Sequence, residues 1–140
     1  MLQVILDTDI LSEIFRGQNP IVANHKSEYI AHHPQLTFTS FSVFEILNGL
    51  RRRDSKSQIE RAKDLFAQNI EIVPVSADFR IAADIVGDLH KNGQPIGIID
   101  PFIAACALRT GLAIATGNVD HFTYIQNAGY DLRIENWRNA

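Results

Sequence analysis

A chain of 140 residues with 46% hydrophobic content can fill one core and is too short for two ordinary domains, so one domain over residues 1–140 is expected. With 21% charged residues and no Ser/Gly-rich or single-sign stretch, the composition argues against a disordered protein or a linker-joined one, and no apolar run has the length to cross a bilayer. The net charge of −3 argues against overall attraction to nucleic acid and leaves that task to local basic clusters.

Val4 and Ile5 lie in the apolar run Leu2 to Leu6, which reads as a first strand. Asp7-Thr8-Asp9 follows and can cap an amphipathic helix from Ile10 to Arg16. Gly17 and Pro20 break that helix, a second covers Ile21 to Ala31, and Pro34 precedes a strand at Leu36 to Thr39. Helices are expected from Val43 to Arg53 and from Gln58 to Gln68, then a strand from Glu71 to Pro74 and a helix from Ala77 to Lys91. Lys91-Asn92-Gly93 supplies the basic last turn and glycine of a helix end. Pro101 suits the first turn of a helix reaching Leu108, with Gly111 beyond its end. Leu112 to Ala115 reads as a fourth strand, Asn118 to Asn127 as a short helix, and Leu132 to Ile134 as a last weak strand.

Strands alternating with helices predict an α/β fold, a mostly parallel central sheet covered on both faces. Ligands of such sheets bind beyond the carboxyl ends of the strands. Asp7 follows the first strand there, Glu45 lies in the helix after the second, Asp100 opens a later helix, and Asn118 and Asp120 follow the fourth strand. Gathering acids from distant parts of the chain serves a hard divalent cation, which takes oxygen ligands and can activate water. Each acid also fits a capping role: Asp7, Thr8 or Asp9 on the first helix, Ser42-Val43-Phe44-Glu45 as a capping box, Asp100 before Pro101, and Asn118 or Asp120 on the last helix.

Cationic groups concentrate between Arg51 and Lys63. Arg51, Arg52, Arg53 and Lys56 are either candidates for holding a phosphate backbone or, interleaved with Asp54, Glu60 and Asp64, a solvated helix face. Of the histidines only His121 neighbours a proposed site residue, and it reads as a packing or surface group; adjacent His32 and His33 would point in different directions. Cys106, inside the apolar run Phe102 to Leu108, reads as a buried inert thiol. The opening Met1-Leu2-Gln3 has neither the basic start nor the apolar run of a secretory signal, so a soluble cytoplasmic protein is expected.

Four stretches resemble the acidic motifs of PIN-domain nucleases, and their order and spacing are similar to the VapC subgroup. They are Val4-Ile5-Leu6-Asp7-Thr8-Asp9-Ile10-Leu11, Thr39-Ser40-Phe41-Ser42-Val43-Phe44-Glu45-Ile46-Leu47-Asn48-Gly49-Leu50, Gly97-Ile98-Ile99-Asp100-Pro101-Phe102-Ile103-Ala104-Ala105, and Ala115-Thr116-Gly117-Asn118-Val119-Asp120-His121-Phe122. The resemblance implies a three-layer α/β/α PIN-like domain and a Mg2+- or Mn2+-dependent endoribonuclease, the toxin of a toxin–antitoxin pair. Asp7, Glu45 and Asp100 would form the metal-binding core, with Thr8, Thr116 and Ser40 as polar neighbours. Two positions depart from the family pattern. Asp9 stands where many relatives have Asn, adding a further ligand or another cap, and Asn118 where many have Asp, so the fourth ligand is open between Asn118 and Asp120. A homodimer and a small antitoxin partner, or a hetero-oligomer of the two, are further implied. Ile10, Leu11, Ile14, Phe15 and the helix Val43 to Leu50 offer an apolar surface for that partner, or alternatively belong to the core.

Two rival readings stand beside this one. Leu6-Asp7-Thr8-Asp9 ends a strand with the Asp-x-Asp of haloacid-dehalogenase-type magnesium phosphohydrolases, in which the first Asp is the nucleophile and the second an acid/base. The other is a non-catalytic PIN-like binding module whose carboxylates are only caps.

Overall fold

The computed structural model describes residues 1–140. Its elements are β1 (Val4–Leu6), α1 (Thr8–Arg16), α2 (Pro20–His32), β2 (Thr37–Thr39), α3 (Ser40–Arg52), α4 (Lys56–Ala67), β3 (Ile70–Ile72), α5 (Ser76–Lys91), α6 (Ile99–Thr110), β4 (Ala113–Thr116), α7 (Val119–Asn127) and β5 (Ile134–Asn136). Every element expected from the sequence is present, with shifted ends. The first strand is confined to Val4–Leu6, and the last lies at Ile134–Asn136, not Leu132 to Ile134. Helix α3 starts at Ser40 because the Thr39 hydroxyl accepts the Ser42 amide and caps it there. Asn19 caps α2 through the amides of Ile21 and Val22, with Pro20 in the first turn where its missing N–H costs nothing. Helices α1 and α6 end at Gly17 and Gly111, both in the left-handed region that disfavours a side chain.

All the strand pairs are parallel. β1 pairs with β4 (Val4 with Ala113, Leu6 with Ala115), β4 with β5 (Thr116 with Asn136), and β2 with β3 (Thr39 with Ile72). β2 lies alongside β1, and the Gln3 amide donates to the Thr37 hydroxyl at 3.3 Å between them. The hydrogen-bonded ladders thus form two sheets, β1-β4-β5 and β2-β3, set side by side in the spatial order β3, β2, β1, β4, β5. The chain winds outward from β1 through β2 and β3, then returns to the other side of β1. The point of reversal, beyond the carboxyl ends of β1 and β4, is where a sheet of this kind leaves a crevice for a ligand.

Because side chains alternate along a strand, one run of residues serves two cores. Val4, Leu6, Ala113 and Ala115 face a cluster with Ile10, Leu11, Val22, Tyr29, Ile46 and Phe66 of α1 to α4. Ile5 and Ile114 face the opposite cluster, with Ile85, Leu89, Ile103, Phe122 and Ile125 of α5 to α7. The outcome is the three-layer α/β/α arrangement expected. Cys106 is buried in the second cluster, as its sequence context implied. On that side Asp78 of α5, fully buried, accepts two bonds from Arg109 of α6, Nε at 2.6 Å and Nη2 at 3.0 Å, and ties the helix pair together. No helix is long and apolar enough to cross a membrane.

Candidate functional site

The backbone amide of Asp7 donates to the Ala115 carbonyl at 3.0 Å, so the pairing of β1 with β4 carries this residue to the edge of the sheet. Its side chain is 2% exposed. One carboxylate oxygen caps α1 by accepting the Ile10 amide at 2.9 Å, and the other accepts from the Thr116 hydroxyl at the end of β4. Burial nevertheless pushes the Asp7 carboxyl up to about 7; these two hydrogen bonds pull down, while the charges of Asp9 and Asp100 push further up. No cationic side chain compensates it.

A second group joins α1 to α3. The Thr8 hydroxyl lies 2.6 Å from Glu45 Oε1, to which it donates, and 2.9 Å from the Ser42 hydroxyl. The Ser-x-x-Glu pattern is thus no capping box: Thr39 caps the helix, and both Ser42 and Glu45 turn to Thr8. Ser42 is fully buried.

On the other side of Asp7, Asp100 stands in the first turn of α6, whose N-cap position, Ile98, makes no side-chain cap. Asp100 Oδ2 lies 2.8 Å from His121 Nδ1, and Asn118 Nδ2 lies 2.9 Å from the same nitrogen. Burial raises the Asp100 carboxyl, the His121 contact opposes this, and Asp9 adds to the rise. The Thr116 hydroxyl also accepts the Asn118 amide at 2.8 Å, so one threonine orients both Asp7 and the turn carrying Asn118. Of the acids expected to be helix caps, only Asp7 caps one.

Several expected members lie elsewhere. Ser40 donates to Glu71 Oε2 at 2.6 Å, toward β3 and away from the acids; Ser42, two residues on, holds the position beside Glu45. Asp120 is exposed on the first turn of α7, and the residue that reaches Asp100 is His121, because successive helical side chains point about 100° apart. Asp9 is at the rim, 3.6 Å from Arg138 Nη2. Arg51, Arg52, Arg53 and Lys56 are exposed around the end of α3. Among these, Arg53 lines a groove of about 580 Å³ that runs from Thr8 and Glu45 past Phe15 to Arg61. Ile10 and Leu11, weighed as partner surface, are core residues, whereas Ile14 and Phe15 are half-buried and Phe44 is exposed.

The donors at this edge are carboxylate, amide and hydroxyl oxygens, the set a hard divalent cation takes. Asp7, an uncompensated buried acid in the field of Asp9 and Asp100, is the feature such a cation would neutralise. As they stand, no three Asp, Glu, His or Cys side chains are close enough together to enclose an ion. Asp100 meets His121 through Oδ2 and Glu45 meets Thr8 through Oε1, which leaves the second oxygen of each outside these contacts.

A parallel α/β/α sheet with acids at its topological reversal defines a class, and the chain belongs to the PIN-domain family, whose model matches residues 4–126. It is 26% identical over 134 residues to Ribonuclease VapC2 of Rickettsia felis, covering 95% of this chain and 96% of that one. It is 25% identical over 138 residues to the tRNA(fMet)-specific endonuclease VapC of Shigella flexneri, covering 98% and 99%. The fold also matches VapBC2 from Rickettsia felis, solved bound to a DNA fragment from its promoter, with a TM-score of 0.79 at 23% identity over 96% of this chain and 98% of that one.

Proposed function

We propose that this chain is a divalent-metal-dependent endoribonuclease that hydrolyses RNA phosphodiesters and acts as the toxin of a toxin–antitoxin pair. The observation that carries the reading is Asp7: a carboxyl buried at the end of β1, pushed up to about 7, with Asp100 and Asp9 in its field and no cation of the protein beside it. A group so placed is costly to the fold and is explained by a ligand that takes its charge. Family membership and VapC ribonucleases of matching length support the same conclusion.

Asp7, Asp100 and Glu45 would hold Mg2+ or Mn2+, with Asn118 as a neutral fourth donor. When bound, the cation supplies Lewis acidity toward the phosphodiester and lowers the pKa of water. The chain's own groups do the rest. Thr116 fixes the Asp7 carboxylate, Thr8 fixes Glu45, and His121 fixes Asp100. Burial of Asp7 keeps bulk water from its inner face.

Neither rival reading fits as well. A phosphohydrolase of haloacid-dehalogenase type needs Asp9 as acid/base beside Asp7, but Asp9 is at the rim with Arg138. A module with carboxylates serving only as caps does not account for Glu45 and Asp100, which cap nothing. For partners, the reading implies an antitoxin whose basic tail crosses the acidic mouth at Asp7, Asp9, Glu45 and Asp100. A second copy of the chain would cover the exposed Phe44, Phe79 and Ile98.

Purified protein incubated with labelled RNA tests the proposal, and the substrate named for the Shigella relative makes tRNA the first to try. Cutting is expected with Mg2+ or Mn2+, abolished by a chelator, leaving 5′-phosphate ends. Asp7→Asn and Asp100→Asn should each lower the rate by more than about 100-fold while folding persists. Undiminished cutting by both variants would refute the assignment.

A further inference from the structure

β5 runs parallel to β4 with Asn136 opposite Thr116, which delivers the next residues to the edge where the acids gather. Those residues are held firmly. The Trp137 amide donates to the Thr116 carbonyl at 3.0 Å, and its side chain is buried against Tyr29 and stacked on His25 at 5.4 Å. One residue beyond Arg138, the Asn139 carbonyl lies 2.5 Å from His25 Nε2. Arg138 is thus fixed on both flanks, and its own amide donates to Asn136 Oδ1 at 3.0 Å.

The side chain of Arg138 lies flat over Gly117, the residue between Thr116 and Asn118. A Cβ at position 117 would come within 2.5 Å of Nε and 2.9 Å of Cγ. The backbone at Gly117 has no positive φ, so a side chain there is opposed by Arg138 and not by conformation. Beyond Gly117 the guanidinium reaches Glu13 at 3.2 Å and Asp9 at 3.6 Å, and it remains 41% exposed. Glu13 is shared with Arg16 at 3.4 Å. The mouth formed by Asp7, Asp9, Glu13, Glu45 and Asp100 repels a polyanion, and Arg138, with Arg16 on the other side of Glu13, sets positive charge into it. Of the basic cluster at the far end of α3, only Arg53 lines the groove that begins at Thr8 and Glu45.

We propose that Arg138 is a substrate-positioning residue, its guanidinium held by Asp9 and Glu13 at the acidic mouth and transferred to a backbone phosphate of RNA when the strand enters. The inference rests on reading the chain as a ribonuclease. Guanidinium forks match two phosphate oxygens, and the half-exposed pairs with Asp9 and Glu13 are weak enough to exchange.

Binding of a fluorescein-labelled single-stranded RNA, followed by anisotropy in an Asp7→Asn background, reads this contact apart from cutting. Adding Arg138→Ala should raise Kd about tenfold and reduce the slope of log affinity against log salt by about 0.7. Arg138→Lys should recover part of the affinity, and the thermal midpoint should stay within about 2 °C. Gly117→Ala keeps the charge but displaces the guanidinium, so it should weaken binding in the presence of Arg138 and add nothing to Arg138→Ala. In the cutting chain, Arg138→Ala should raise KM with kcat within about twofold. Unchanged affinity and salt slope in Arg138→Ala overturn the inference, as does a Gly117→Ala effect that persists without Arg138. A chain that binds RNA through Arg138 yet never cuts it removes the enzymatic reading alone; one that cuts with affinity indifferent to Arg138 removes the positioning role alone.

Discussion

His121 Nδ1 stands 2.8 Å from Asp100 Oδ2 and 2.9 Å from Asn118 Nδ2, so a residue of α7 orients an acid at the start of α6. A single ring nitrogen carries at most one hydrogen, and donating it to the carboxylate makes the stronger, charge-assisted bond. His121→Ala should leave Asp100 free to rotate. Titrating RNA cleavage with Mg2+ should show a half-saturating concentration raised about tenfold and a lower maximal rate; identical titration curves would show that His121 only packs.

Asp7 makes the fold sensitive to pH in a particular direction. Its folded value is about 7 against 3.8 for the ordinary carboxyl, so between these limits the folded chain holds the proton more tightly. Stability is therefore greatest from this source below about pH 4, declines as pH rises, and reaches its minimum above about pH 7. Asp7→Asn should be neutral near pH 4 and more stable than the parent by about 2–4 kcal/mol at pH 8, read from urea midpoints at both pH values. Mg2+ should raise the melting temperature of the parent at pH 8 and not that of Asp7→Asn.

Thr8 donates to Glu45 and meets Ser42, and all three oxygens depend on one hydroxyl. Thr8→Val keeps the shape and removes the bonds. The expected cost is about 1 kcal/mol of stability with about a tenfold loss of RNA cleavage. Loss of stability with full cleavage would confine Thr8 to a packing role.

Arg109 and Asp78 give the opposite pH dependence far from the acids. Burial alone would raise Asp78, but the two bonds and the charge of Arg109 hold it below the usual carboxylate range. Its contribution is present above about pH 4 and lost as pH falls through the lowered folded value. Arg109→Ala should cost about 3 kcal/mol at pH 7 by stranding a buried carboxylate. At temperatures where the variant is folded, kcat/KM should be unchanged.

The order of strands and helices was legible because apolar runs with Val and Ile alternate with helical stretches bounded by Gly17, Pro20 and Gly111, whose chemistry is local. Boundaries set by distant contacts were not. The expected start of α3 at Val43 missed the Thr39 hydroxyl, and the shift of β5 to Ile134–Asn136 follows from pairing with β4, which no local pattern encodes. Asp7 and Asp100 could be placed at one sheet edge from the alternation alone. Choosing Ser42 over Ser40, or His121 over Asp120, required knowing which face of a helix meets a partner. The reach of Arg138 to Glu13 spans 125 positions of sequence, beyond any motif.

The ladder between β1 and β4 has a temporal consequence for a chain made from its amino terminus. Asp7 emerges early, but Thr116, which orients it, follows 109 positions later, and Trp137 and Arg138 later still. Asp7 therefore lacks its hydroxyl partner until β4 has been made and paired with β1, and the candidate site is assembled only from that point. For an enzyme whose substrate is RNA, that order of synthesis postpones cutting until β4 has been made and paired.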